Sequence, residues 1–147
     1  VGDKDEIRKV YTRVLVGADG YHSCVRQRTV SDGEPLYTGT MTWRGVIKRS
    51  MFSDGSLGWP FHNDSDNGNI SVIGDGKNFW IMDCGNGDLA WTGTALQKSN
   101  EKSESALAAA LGTFEGWPPI VERVIRATDP AAIVESGVFD RDPVASR

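Results

Sequence analysis

The cleanest alternation of apolar and polar residues in the chain marks residues 37–48 as its clearest strand. Successive side chains of a strand point to opposite faces, so the two sets of residues separate. The apolar face carries Tyr37, Met41, Trp43 and Ile47, and the polar face carries Thr38, Thr40, Thr42 and Arg44. The pattern predicts a strand with one packed face and one polar face.

Two turn dipeptides divide the next part of the chain into further strands. Asp75-Gly76 and Asn86-Gly87 separate apolar segments at residues 70–73, 77–84 and 89–96. Both dipeptides favour type I′ hairpin turns. We therefore predict an antiparallel meander of at least three strands, joined by the alternating strand described above.

The last third of the chain changes to helical spacing. Apolar positions in residues 107–114 predict an amphipathic helix that ends near Gly116. A second helix begins at Pro118-Pro119 and ends at Asp129-Pro130. Residues 133–139 then return as a strand. Strands, two helices and a closing strand indicate an antiparallel α+β layer.

The N-terminal part shows a different pattern. Residues 11–16 form an apolar run typical of a buried strand, Asp19-Gly20 marks a tight turn, and Ser23 can cap a short helix through Thr29. Backbone N–H groups at the start of that helix, with Arg26 nearby, favour an anion such as a pyrophosphate. The alternative interpretation is an ordinary joint between a strand and a helix.

Two breaks in these patterns bear on domain organisation. Residues 31–35 combine turn-forming residues, and we place a domain boundary there, between residues 1–32 and residues 33–147. Residues 50–69 are rich in Gly, Ser, Asp and Asn around an aromatic island at residues 57–61. They predict a long surface loop.

Composition and charge narrow the possible class of protein. The chain has 147 residues, 39% of them hydrophobic and 24% charged, which suits a globular domain. A net charge of -4 argues against a nucleic-acid partner. No apolar run approaches the length of a membrane span. Without a visible targeting signal, we expect a cytoplasmic protein, although an upstream signal would not be seen.

The cysteines and acidic residues do not indicate a metal site. Cys24 and Cys84 have no CxxC spacing and no nearby ligand partners, so both are expected to be reduced thiols. We favour a buried structural role for Cys24 over a reactive one. Residues 64–69 are out of register with a calcium-binding loop.

Residues 17–26, GADGYHSCVR, resemble the second conserved motif of the FAD-dependent aromatic-ring monooxygenases. This group includes salicylate hydroxylases, urate hydroxylases and zeaxanthin epoxidases. The matching residues are Gly17, Ala18, Asp19, Gly20, Ser23, Val25 and Arg26. The similarity continues into Tyr37-Thr38-Gly39 and Trp43-Arg44-Gly45-Val46.

The resemblance implies a cofactor site in the N-terminal part. In that family the Asp-Gly motif lies beside the flavin pyrophosphate and the path of NAD(P)H, so Asp19, Gly20, Ser23 and Arg26 are expected to bind or support FAD and NAD(P)H. NAD(P)H reduces the flavin, O2 adds to form a flavin hydroperoxide, and oxygen is transferred to a small aromatic or apolar substrate.

The resemblance also implies the fold and the extent of the chain. Residues 1–32 are expected to be a strand-turn-helix remnant of a Rossmann-like FAD domain, and residues 33–147 most of an antiparallel-sheet substrate domain. Two family motifs, GxGxxG and Gly-Asp-x-x-His-x-x-x-Pro, are absent. We therefore expect an internal fragment that alone binds FAD weakly and does not turn over.

Arg44 and Trp43 are the candidate substrate-binding residues, and no catalytic residue is identified. Arg44 can hold a carboxylate or approach the flavin edge, or alternatively pair with Asp83. Trp43, Trp80 and Trp91 can line an aromatic pocket, but core packing is favoured for at least two of them. The alternative function is a non-catalytic small-ligand binding module.

Overall fold

The computed structural model describes residues 9–31, 33–52 and 69–143. The chain separates into two compact units. Unit 1 comprises residues 1–35 together with 141–147, and unit 2 comprises residues 36–140. Unit 2 thus begins three residues after the predicted boundary, and the C-terminal residues group with unit 1.

Unit 2 is built on a five-stranded antiparallel sheet. Its strands are β1 (Leu36–Lys48), β2 (Ile70–Gly74), β3 (Lys77–Gly85), β4 (Asp88–Leu96) and β5 (Val134–Asp140). Their spatial order is β2-β3-β4-β1-β5, so the first strand lies between the meander and the closing strand. The predicted antiparallel sheet is confirmed.

The two predicted hairpin turns differ in backbone conformation. Asn86 and Gly87 both have positive φ, 53° and 76°, as a type I′ turn requires. At the other hairpin Gly76 has φ of 64°, but Asp75 is not in the positive region. The prediction of type I′ geometry is therefore wrong for Asp75-Gly76, where only the second position uses the conformational freedom of glycine.

Two helices of unit 2 cover the apolar face of the sheet. They are α2 (Ala106–Thr113) and α3 (Pro119–Ala127), which follow the α1 helix of unit 1 (Cys24–Thr29). Phe114 packs edge to face against both Trp43 and Phe79. Strand residues and α3 residues complete this buried core. The sheet contributes Met41, Ile47, Ile81, Leu89, Trp91 and Ala95, and α3 contributes Val121, Val124 and Ile125.

The predicted strand at residues 11–16 is not formed. These residues have no strand conformation, and Val10, Tyr11 and Leu15 are 84%, 93% and 69% exposed. A strand needs hydrogen-bonded neighbours, and the described residues of unit 1 contain no other strand. The apolar pattern of residues 11–16 indicates burial, but no described residues cover these side chains or pair with this segment as a strand.

Other predictions are corrected or lie outside the described residues. Both Cys24 and Cys84 are exposed free thiols, so the favoured burial of Cys24 is wrong. The aromatic island at residues 57–61 lies outside the described part. Among the described helices, none is both long and apolar enough to cross a membrane.

Candidate functional site

The Asp19 carboxylate organises the predicted cofactor turn. It accepts hydrogen bonds from the backbone N–H groups of Cys24 at 2.8 Å and Val25 at 3.3 Å. The Ser23 hydroxyl donates a further bond to it. The bond from the Ser23 hydroxyl has the largest effect and lowers the pKa of Asp19 from its ordinary value. Desolvation opposes it, and the backbone N–H bonds lower the pKa further.

Ser23 and Gly20 complete the turn. Ser23 is the N-cap of α1 and is 8% exposed, and its hydroxyl accepts a 2.9 Å bond from the Arg26 N–H. Gly20 has φ of 78°, which favours glycine, and a Cβ at this position would meet no atom of the described residues within 4 Å. The described part of unit 1 therefore leaves open space beside the Gly20 backbone.

Arg26 is held within unit 1. Its guanidinium donates a 3.0 Å bond to the carbonyl of Asp142. Arg141, the neighbour of that residue, donates to the carbonyls of Tyr21 and Gly33 at 3.1 and 2.6 Å. Arg141 and Asp142 therefore brace the turn and the helix that carry the motif.

The N–H groups that were predicted to bind an anion already have partners within the turn. The backbone N–H groups at the start of α1 are bonded to the Asp19 carboxylate and the Ser23 hydroxyl. They do not point freely toward a phosphate, as the sequence suggested. Asp19 and Ser23 shape the turn, whereas direct contact with a cofactor by Gly20 and Arg26 remains a prediction.

Arg44 lies on the sheet face opposite the helices. Its side chain is exposed, and its bond to the Ser136 hydroxyl is long at 3.5 Å. Among the described residues no carboxylate lies within ion-pair distance of it. The alternative pairing with Asp83 is wrong, because Asp83 binds Arg49 at 2.8 Å.

Trp43 lies in the core and does not line a ligand pocket, so its prediction as a substrate-binding residue is corrected. It is 0% exposed and packs against Phe114, on the face away from its neighbour Arg44. Trp91 is also buried, whereas Trp80 is 45% exposed. Core packing is thus confirmed for two of the three tryptophans, and Trp80 is the one available to a ligand.

The Arg49–Asp83 pair was not predicted. Arg49 begins a 3₁₀ helix (Arg49–Phe52) after β1, and Asp83 lies on β3 with a side chain only 5% exposed. The Arg49 N–H also donates to the Gly87 carbonyl at 2.8 Å. These contacts join the end of β1 to the β3–β4 hairpin. Their partners are 34 or more residues apart, so no local pattern reveals them.

Two curated proteins align with most of this chain. Aurachin C monooxygenase/isomerase of Stigmatella aurantiaca is 30% identical over 138 residues, which cover 89% of this chain and 32% of that protein. The chloroplastic zeaxanthin epoxidase of Prunus armeniaca is 27% identical over 137 residues, covering 89% and 19%. No protein-family model matches the chain.

The relatives of this chain are FAD-dependent monooxygenases. The resemblance carried by residues 17–26 is confirmed. The monooxygenase fold is also seen in the crystal structure of Klebsiella pneumoniae HpxO complexed with FAD and uric acid, with a TM-score of 0.70 and 22% identity. That match covers 86% of this chain and 31% of HpxO. The chain therefore spans about a third or less of the monooxygenases it matches.

Proposed function

We propose that this chain is the middle part of an FAD-dependent, NAD(P)H-using monooxygenase that hydroxylates or epoxidises a small aromatic or apolar substrate. The observation that carries the proposal is the alignment of 89% of the chain with aurachin C monooxygenase/isomerase. The Asp-Gly turn, with its open side at Gly20, supports a cofactor role for unit 1.

Residues 1–32 are, in this proposal, part of a Rossmann-like FAD domain. The support is the exposed apolar run at residues 11–16, which has the composition of a buried strand but no strand partner among the described residues. In a longer protein this run would pair with strands of a parallel sheet. Residues 33–147 would form most of the substrate domain.

The motif residues fit a flavin nucleotide in distinct roles. Asp19 and Ser23 hold the turn in place, Gly20 leaves room for a close approach, and Arg26 supplies a positive charge. FAD, when bound and reduced by NAD(P)H, would activate O2. The resemblance implies that oxygen is then transferred to the substrate. Arg44, exposed and without a carboxylate partner in the described part, is the residue proposed to hold the substrate.

Activity of the longer protein tests this function. The reading frame that contains this chain would be expressed in full, and its flavin content and substrate-dependent oxidation of NAD(P)H would be measured with O2 consumption. We expect about one FAD per protein and oxygen incorporated into the product. A full-length protein that binds no flavin would overturn the proposal.

The 147-residue chain by itself provides a second test. We expect it to bind FAD weakly and to show no turnover, because the GxGxxG segment is absent from it. A stoichiometric flavin retained after purification of this chain would contradict that expectation.

A non-catalytic binding module is the second candidate function. The observation that favours it is that unit 2 contains its own sheet, two helices and a buried core. The module predicts ligand binding by a full-length protein without flavin, so the same flavin measurement separates the two functions.

A further inference from the structure

A cavity of about 370 Å³ lies beside the turn that joins α2 to α3. It is on the helix-covered side of the sheet, and its volume falls within the range of small-molecule sites, roughly 300–1,000 Å³. Gly112 and Gly116 border it, and a Cβ at either position would meet no described atom within 4 Å. The side chains that line it include Leu111, Ile125, Trp117, Glu115, Glu122 and Arg126.

Trp117 is a fixed aromatic wall of this cavity. Its indole stands edge to face with Phe114, and the ring centroids are 5.1 Å apart. On the strand side the indole lies so close to Gly74 that a Cβ there would be 2.8 Å from its Cζ2 atom. Packing on two sides holds the ring, which is half-buried and borders the cavity. Among aromatic side chains, tryptophan attracts a cation most strongly.

The charged groups of the lining leave one carboxylate in excess. The Glu122 carboxylate accepts a 2.8 Å bond from Arg126, so these two charges offset each other. The Glu115 side chain has no ion-pair or hydrogen-bond partner among the described residues. Lys77 approaches the end of α2 from β3, but its Nζ already donates a 2.6 Å bond to the Thr113 carbonyl. The cavity therefore favours a positive ligand over a negative one.

We propose that this cavity binds an organic ammonium ion carried on an apolar body. The ammonium group lies between the Glu115 carboxylate and the Trp117 indole, because both attract a positive charge. The apolar body packs against the half-buried Leu111 and removes its surface from water. Unit 2 alone supplies this site, and the flavin chemistry of the proposed function does not use it.

Three probes that share a phenyl body test the preference for positive charge. They are 2-phenylethylammonium, the neutral 2-phenylethanol and the anionic 3-phenylpropionate. We expect the 147-residue chain to bind the ammonium saturably, the alcohol about fivefold more weakly and the carboxylate more weakly still, because only the ammonium gains from Glu115 and from the indole. Nuclear magnetic resonance titration of the backbone amides measures the binding. Shifts should concentrate on residues 111–117 and 122–126.

Charge variants of exposed residues should shift the affinity in opposite directions. E115Q should weaken the ammonium about threefold and leave the alcohol unchanged. R126Q leaves the Glu122 carboxylate without its partner, so it should strengthen the ammonium about threefold. The matched control is E104Q, which makes the same charge change at the other end of α2, about 16 Å away by the rise of the helix. It should leave the affinities for all three probes unchanged.

The indole has its own test, and the failures of the proposal are distinct from those of the proposed function. W117L should weaken the ammonium and the alcohol about fivefold, and W117F should restore part of the loss. The site would be overturned by the absence of saturable binding to the folded chain, by equal affinity for ammonium and alcohol, by equal losses in E115Q and E104Q, or by unchanged binding in W117L. No flavin enters these titrations, so a full-length protein without flavin would refute only the monooxygenase.

Discussion

The Asp19 carboxylate accepts a 2.8 Å hydrogen bond from the backbone N–H of Cys24, the first residue of α1. A carboxylate at this position satisfies helix N–H groups that otherwise have no partner and opposes the positive end of the helix dipole. The residue that the motif offers as a cofactor ligand is therefore also the residue that holds the motif together.

Acid should loosen this turn. The pKa of Asp19 is lowered in the folded chain, so its ionised form stabilises the fold at pH above the unfolded value of about 3.9. That contribution is lost as the pH falls through the lower, folded pKa. We expect the Cys24 and Val25 amides to lose protection from hydrogen exchange in this range.

The variant S23A tests the cause of the shift. The Ser23 hydroxyl is the largest contribution to the lowered pKa, so its removal should raise the pKa of Asp19 toward the ordinary value. Titration of the Asp19 carboxyl by nuclear magnetic resonance measures this change. The same pKa in both proteins would contradict it.

The buried ion pair should contribute more to stability than an exposed one. R49M leaves the Asp83 carboxylate, 5% exposed, without its 2.8 Å partner. Removing one member of a fully buried pair costs about 3–5 kcal/mol, and since Arg49 is partly exposed we expect roughly 2 kcal/mol. Urea denaturation of the chain measures the loss.

The control for this prediction is the Arg126–Glu122 pair. It has the same 2.8 Å separation, but both side chains are more than half exposed. E122Q should change the free energy of unfolding by less than about 0.5 kcal/mol. Equal effects of R49M and E122Q would show that burial does not decide the contribution.

The strands and helices of unit 2 follow from local patterns. Residues 37–48 alternate with a period of two, and turn dipeptides end the next strands, so each element can be predicted without knowledge of the others. Trp43 illustrates the same point. Its alternation with Met41 already assigned it to the packed face, and the structure confirms that face rather than a ligand pocket.

The failures of sequence prediction concern contacts between distant segments. Residues 11–16 have the composition of a strand, but strand formation depends on partners that the pattern does not contain. Trp80 lies on a strand with apolar residues on both faces, Phe79 and Ile81 on one and Met82 on the other, so alternation alone cannot orient it. Its alignment with Thr92 and Arg44 on one face of the sheet depends on the register of three strands.

The core allows no side chain at Gly93. A Cβ at this position would lie 2.5 Å from Cε2 of Phe114 and 3.0 Å from Cδ2 of Phe79. We expect G93A to lower the free energy of unfolding by about 1–3 kcal/mol, because close-packed rings would have to move. Thermal denaturation monitored by near-ultraviolet circular dichroism measures the effect.

The matched control is G112A in α2. A Cβ there meets no atom within 4 Å, and alanine is a better helix former than glycine. We expect G112A to raise the free energy of unfolding by about 0.5–1 kcal/mol. The same substitution should thus have opposite signs at the two positions, and destabilisation by both would be evidence against the described packing of α2.

The hydrogen bond between Trp91 and Thr128 links the sheet to the end of α3. The Trp91 indole N–H donates to the Thr128 hydroxyl at 2.8 Å, and that hydroxyl donates to the Val124 carbonyl at 2.9 Å. T128V keeps the shape but leaves a buried indole donor without an acceptor. We expect a loss of about 1–3 kcal/mol in the free energy of unfolding.

Serine at the same position distinguishes the hydrogen bond from packing. T128S keeps the hydroxyl and removes one methyl group, so the loss should stay near 1 kcal/mol. The indole N–H resonance of Trp91 provides an independent measurement. It should exchange slowly with solvent in the unmodified chain and in T128S, and faster in T128V, because only the valine variant lacks the acceptor. Equal exchange in T128S and T128V would show that packing, rather than this bond, protects the indole.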